Sequence, residues 1–170
     1  VRGGQKTREL LGYEMKLDPM YVVTSFHQRN FKLDYAFAEW LWYCSMDRKV
    51  EKIGMLASMW DRLKDDNGEV ESNYGTYLLA HNPDLGMSQF RWCLEELRND
   101  PSSRRAVITI NQPHHKGKNP KDMPCTMFVQ YILRDDCLHS FVRMRSNDAV
   151  YGLNNDVFTW ALFHQLMTWR

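Results

Sequence analysis

Cys125 stands directly after a proline in the run M-P-C-T-M-F-V-Q-Y, and a turn later the chain reads R-M-R-S-N-D-A-V-Y-G-L-N-N-D. That span combines a thiol held by a rigid neighbour, fixed cations, a Ser-Asn-Asp run, Gly152 and the carboxylate of Asp156. The combination points to covalent chemistry on an anionic substrate. Among the four cysteines, Cys125 is the best nucleophile: Arg145 comes near it across a hairpin and favours a thiolate. Cys44 and Cys93 lie in apolar helical patterns and read as core, whereas Cys137 opens a strand beside two acids.

The elements that must position these groups follow from periodicity. Asp34 to Ser45 is strongly apolar with one acid, Glu39, in its middle; it predicts a buried helix capped by Asp34. An acid in such a run is either a partnered structural group or a site residue with a perturbed pKa. Leu56–Leu63 predicts a short helix, Asp65–Glu69 a turn at its Asn-Gly pair, and Met87–Leu97 an amphipathic helix. Ala106–Ile110 is β-branched and predicts a strand, entered through Arg104 and Arg105, which are either a solvated pair or a phosphate clamp. Thr126–Leu133 and Cys137–Ser146 predict a hairpin across R-D-D. From Asn154 a long buried helix is expected, with Asn154, Asn155 and Asp156 around its N-cap. The opening V-R-G-G-Q-K-T-R predicts a glycine-rich basic loop, the next ten residues a rough strand, and Q-P-H-H-K-G-K-N-P-K an exposed loop. No other ligand is expected beside His114 and His115, so no metal is expected there. Helices alternating with several strands indicate an α+β fold.

At 170 residues the chain is one domain, long enough for a substantial core. A net charge of +1 argues against bulk nucleic-acid binding but leaves room for a small anion held by local arginines. No apolar run reaches a membrane span, and the opening residues lack the apolar segment of a signal peptide. The cysteine spacings indicate neither zinc nor a disulfide framework, so a cytoplasmic protein with reduced thiols is expected, in a bacterial or phage-infected host cell. The first residue is not methionine and L-M-T-W-R stops within a running helical pattern, so residues 1–170 are expected to be an excerpt lacking a C-terminal part.

An ordered set of motifs then carries a resemblance along the whole chain: the R-x-G loop at Arg2, A-E-W-L-W at Glu39, M-W-D at Trp60, N-Y-G at Tyr74, D-P-S-S-R-R, P-C at Cys125 and R-S-N-D-x-V-x-G-x-x-N-D. It resembles the thymidylate synthase superfamily, and within it the phage deoxycytidylate hydroxymethylases most closely. The resemblance implies a thymidylate synthase-like α+β fold, a mixed sheet packed with helices, with a sheet face forming a dimer interface. It also implies a pyrimidine nucleoside monophosphate as substrate and 5,10-methylenetetrahydrofolate as co-substrate, with no metal. Cys125 would attack C6 of the base, Glu39 would act through ordered water, and Tyr74 would lie beside the thiol. Arg2, Arg145 and Ser146 would hold the 5′-phosphate, and Arg104 and Arg105 would reach the phosphate of a neighbouring subunit. Trp60, Asp148 and Gly152 match positions that meet the folate.

Asp156 decides the base. Synthases acting on uracil have Asn there, which serves N3–H and O4; cytosine presents the reverse pattern. A carboxyl accepts from the 4-amino group and, when protonated, donates to N3. Two positions depart from the synthases. Thr126 replaces the His after the nucleophile, and Asn154-Asn155 replaces Pro-Phe, a wetter wall suited to capture of the one-carbon unit by water. The expected activity is (deoxy)cytidylate 5-hydroxymethyl transfer. The alternatives are a methylating synthase on dUMP or dCMP, or a non-catalytic nucleotide-binding homologue. The His and Tyr that would contact the sugar hydroxyl are expected downstream of this sequence, so ribose and deoxyribose are not distinguished.

Overall fold

A computed structural model describes residues 6–23, 31–117 and 121–169. Arg2 and the glycine-rich opening at residues 1–5 lie outside the described residues.

Helix α1 spans Leu33–Ser45 and is followed by two short helices, α2 (Glu51–Gly54) and α3 (Met59–Leu63). Its N-cap is Lys32, with no side-chain cap; Asp34 sits in the first turn instead of capping it. There its charge still favours the helix N-terminus. Helix α4 (Gly75–Leu78) lies against α1, and Gly75 is obligatory: a Cβ there would sit 1.6 Å from the Tyr43 carbonyl oxygen. A two-stranded ladder, β1 (His81–Asn82) with β2 (Met87–Ser88), precedes α5 (Gln89–Asn99). Met87 and Ser88 therefore leave the predicted helix, and Ser88 caps it by accepting the Arg91 N–H.

The main sheet is antiparallel in the order β3 (Val107–Thr109), β4 (Thr126–Arg134) and β5 (Cys137–Met144). A mixed sheet was expected; every ladder among the described residues is antiparallel. The hairpin turns on Asp135 and Asp136, with φ of 51° and 56°. Two successive left-handed residues match the right-handed twist of the paired strands, and Asp tolerates that conformation. One face of the sheet, through Ile108, Val129 and Tyr131, enters the core. The long helix α6 (Gly152–Thr168) is buried on most of its circumference and packs there through its own Trp160, against Tyr74, and Phe163, against Phe90.

The expected strand over residues 9–18 is absent: that stretch is irregular and largely exposed. Among the described residues no strand pairs with its backbone. Pro113–Gly117, expected to be exposed loop, forms a 3₁₀ turn that buries His115. No helix among the described residues is long and apolar enough to cross a membrane.

Candidate active site

The Cys125 segment is held from three directions. It leads into β4, where a bulge between Thr126 and Phe128 breaks the register, and the backbone N–H groups of Ile110 and Asn111 both donate to the Met127 carbonyl at 2.9 Å. Bulges of this kind re-aim the side chains beside them. Arg145, one residue beyond β5, takes three successive carbonyls. Its Nη2 donates to Met123 at 2.8 Å, its Nε to Pro124 at 3.1 Å, and its backbone N–H to Cys125 at 2.9 Å. Upstream, Asp122 is buried and accepts from both the backbone N–H (2.9 Å) and the hydroxyl of Ser72. The Cys125 thiol itself is half-buried. By contrast, burial pushes the Cys44 thiol up to about 11 and the Cys93 thiol up to about 12.

Tyr74, two residues after Ser72, is buried between Tyr43 (ring centroids 5.1 Å) and Trp160 (5.7 Å). Desolvation holds its hydroxyl well above the ordinary value, reinforced by the charges of Asp156 and Cys125. Tyr74 thus lies within electrostatic reach of both Cys125 and Asp156.

Two acids lie within electrostatic reach of each other and of these buried tyrosines. Glu39, on the buried side of α1, accepts from the Tyr35 hydroxyl at 2.6 Å, and Tyr35 in turn accepts from the Trp60 indole N–H at 2.9 Å. Burial raises Glu39 to about 7 despite the Tyr35 bond, which pulls the other way. Asp156 is half-buried by accessible surface, yet enough protein surrounds its carboxyl to desolvate it. Its pKa is pushed up to about 8, by burial first and then by the charge of Glu39, against a hydrogen bond to Asn147. Asp156 was expected near a helix cap. Instead α6 begins at Gly152 with Tyr151 as N-cap, so Asp156 lies past the first turn and caps nothing. The apolar pattern shows where the helix is buried, not where its first hydrogen bond closes.

The other expected positions divide. Ser146 is exposed beside Arg145. Arg104 is exposed, while Arg105 pairs with Glu96 of its own chain, its Nε and Nη2 both 2.8 Å from the carboxylate. Asp148 closes a loop: one carboxylate oxygen accepts the Val150 and Tyr151 N–H groups at 2.8 Å. Gly152 stands over that loop, where a Cβ would come within 2.7 Å of the Asn147 side-chain oxygen. Trp60 is buried against Trp42, and its N–H is already given to Tyr35.

Sequence reasoning missed Tyr35, although the signal was present: positions 35 and 39 are four apart on one helix and so share a face. It also missed Ser72 and Asp122, whose pairing spans fifty residues. Glu71 does come beside His114 and His115, with ligand atoms within 4.8 Å of one another, which corrects the expectation that no further ligand stands near. Those groups are already engaged. His115 Nδ1 accepts the Gln112 N–H, which places its proton on Nε2 facing the Tyr77 hydroxyl at 2.7 Å; Tyr77 donates to Glu71, and Glu71 pairs with Arg48. A metal would have to displace that proton and that cation.

The thymidylate synthase family model matches residues 1–169. This chain belongs to the thymidylate synthase family. It is 31% identical over 165 residues to the deoxycytidylate 5-hydroxymethyltransferases of Enterobacteria phages T4 and T2, covering 94% of this chain and 63% of those proteins. It is 28% identical over 131 residues to the thymidylate synthase of Bacillus mojavensis, covering 75% of this chain and 47% of that one. Among solved structures it resembles the thermostable thymidylate synthase A from Bacillus subtilis, with a TM-score of 0.68 and 27% identity over 82% of this chain and 52% of that one. The chain thus spans less than two thirds of the length of these relatives.

Proposed function

We propose that this member of the thymidylate synthase family transfers a hydroxymethyl group to C5 of deoxycytidylate, or of cytidylate. The observation that carries this reading is Asp156, a carboxyl raised to about 8 within electrostatic reach of Glu39 and of Tyr74, which is itself within reach of Cys125. At neutral pH such a carboxyl is mostly protonated, so it donates to N3 of cytosine while its other oxygen accepts from the 4-amino group. Uracil, with a donor at N3, meets a donor there and is rejected. The 31% identity to phage deoxycytidylate 5-hydroxymethyltransferases supports the same choice.

Cys125 sulfur adds to C6, making C5 nucleophilic. C5 would form the bond to the one-carbon unit; the C5 proton would then leave toward water held by Glu39 as the carbon's bond to the folate nitrogen breaks and tetrahydrofolate departs, and water would add to the resulting exocyclic methylene carbon as the thiolate is expelled from C6. Methylenetetrahydrofolate, when bound, supplies that carbon at the oxidation level of formaldehyde. Glu39, at about 7, is poised to carry protons in either direction. The loop of Asp148 and Gly152 is exposed and would be open to a bound folate, while Trp60 is tied to Glu39 through the Tyr35 hydroxyl. Arg145 and Ser146 offer the phosphate exposed donors.

A homodimer completes the reading. The outer sheet face aligns Val107, Gln130 and Phe141 in one row and Thr109, Phe128 and Arg143 in the next, around a depression of about 420 Å³. That face, with Arg104 at its entrance, suits a second copy; the cytoplasm is the expected compartment.

The test is release of tritium from C5 of dCMP, CMP and dUMP in parallel, with and without methylenetetrahydrofolate, together with the product mass. Exchange from a cytosine nucleotide and a hydroxymethyl gain are expected. A methyl gain would establish the synthase reaction instead, and absence of exchange would establish a non-catalytic homologue.

A further inference from the structure

We infer that Ser72 and Asp122 are positioning residues for the nucleophile, a buried clasp that sets the Cys125 thiol against Tyr74. This rests on the reading of Cys125 as the nucleophile. The two chain segments that meet at the thiol come from distant parts of the sequence. One runs from Ser72 to Tyr74, the other from Asp122 through Pro124 to Cys125. Asp122 joins them where each begins: Oδ2 accepts the Ser72 N–H at 2.9 Å and Oδ1 accepts the Ser72 hydroxyl at 2.5 Å. Both residues are buried, so neither bond competes with solvent.

The clasp is costly enough to need an explanation. Its carboxylate is buried within electrostatic reach of that of Glu71, whose charge, after burial, helps hold Asp122 above its ordinary range, while Glu71 itself is paired with Arg48. Burying a carboxylate for fold stability alone is a weak strategy, because an apolar pair of similar size does as well. Carboxylate geometry does supply direction. Two acceptors on one planar group fix both the distance and the orientation of the Ser72 backbone, which hydrophobic contact cannot do. From Asp122 only Met123 and the rigid Pro124 separate the clasp from the thiol, and Arg145 holds the carbonyls of both. Ser72 therefore sets the start of this span and Arg145 its course, leaving Cys125 little freedom relative to Tyr74. Small misplacements of a reacting atom lower rates far more than they lower binding.

The experiment combines steady-state kinetics of the C5 reaction with alkylation of individual thiols by iodoacetamide, followed by mass spectrometry, in the full chain. Ser72→Ala and Asp122→Asn should each lower kcat at least tenfold while KM for dCMP moves less than threefold; Ser72→Thr, which keeps the hydroxyl, should restore kcat. In the two disabled variants the freed Cys125 should alkylate at least threefold faster. Fully buried Cys93 reports global opening, and exposed Cys137 reports reagent; both should keep their wild-type rates. If Cys93 and Cys125 accelerate together, or if kcat is unchanged, the clasp is merely structural and the inference fails. Absence of C5 exchange in the wild type would defeat the functional reading instead, and the thiol rates would still decide the clasp.

Discussion

The backbone N–H of Arg145 donates to the carbonyl of Cys125 at 2.9 Å, and its guanidinium takes the two carbonyls before it. One residue thus shapes the backbone at Cys125, the proposed nucleophile, and carries the guanidinium proposed for the phosphate. Lysine keeps the charge but lacks the fork. Arg145→Lys should therefore lower kcat as well as raise KM for dCMP, and should cost about 1.5–3 kcal/mol in urea unfolding. A change in KM alone would limit Arg145 to the phosphate.

Cys125→Ser should abolish tritium release from C5, by at least about a thousandfold, because an alcohol is a far poorer nucleophile at neutral pH. Nucleotide binding, followed by calorimetry, should persist, since no binding arginine is touched.

Asp156→Asn should shift preference from cytosine towards uracil nucleotides, read as the ratio of kcat/KM for dCMP and dUMP. The pH profile gives a second measure. The donor form of Asp156 is present below its pKa of about 8, so kcat/KM for dCMP should fall as pH rises through that value. The variant should lose that limb.

Glu39 and Asp156 also make stability depend on pH. Their pKa values rise from the ordinary 4.5 and 3.8 to about 7 and about 8 in the folded chain. Between about pH 4 and 8 the folded state holds protons that the unfolded state has released, so these groups weaken the fold as pH rises through that window. The urea midpoint of Asp156→Asn or Glu39→Gln should therefore exceed that of the wild type more at pH 8 than at pH 5. An equal difference at both would contradict the raised values.

Tyr35→Phe removes a hydrogen bond that lowers Glu39's pKa. Because Glu39 is proposed to carry protons in the reaction, the kcat profile should show a limb near pH 7 that moves to higher pH in this variant, with KM for dCMP little changed. Gly75→Ala, which drives a methyl into the Tyr43 carbonyl, should destabilise by on the order of 3 kcal/mol or more. Gly117→Ala, with open space around it, should be near neutral.

The residue types and order were enough to read the α+β class, the family, the hairpin and both buried helices, and to single out Cys125 as the candidate nucleophile. Those are local signals: alternation, helical spacing, a proline before a cysteine, and an acid in an apolar run. Element ends were less legible. Asp34 and Asp156 are good capping residues by type, yet each falls inside its helix because packing moved the first turn. The N-terminal segment alternates like a strand, but alternation makes a strand only when a partner edge is available.

What the sequence by itself determined is the chemistry on offer: a thiol, two acids in apolar surroundings, an arginine behind them, and a family to which the set belongs. What only the tertiary structure decided is how those groups act on one another. Glu39 and Asp156 are separated by most of the chain, and they perturb each other's neighbourhood only because α1 and α6 pack together. Ser72 and Asp122 look unremarkable in sequence and become a clasp at 2.9 Å. Desolvation and hydrogen-bond direction depend on what surrounds a group in space, and chain order does not encode that surrounding locally.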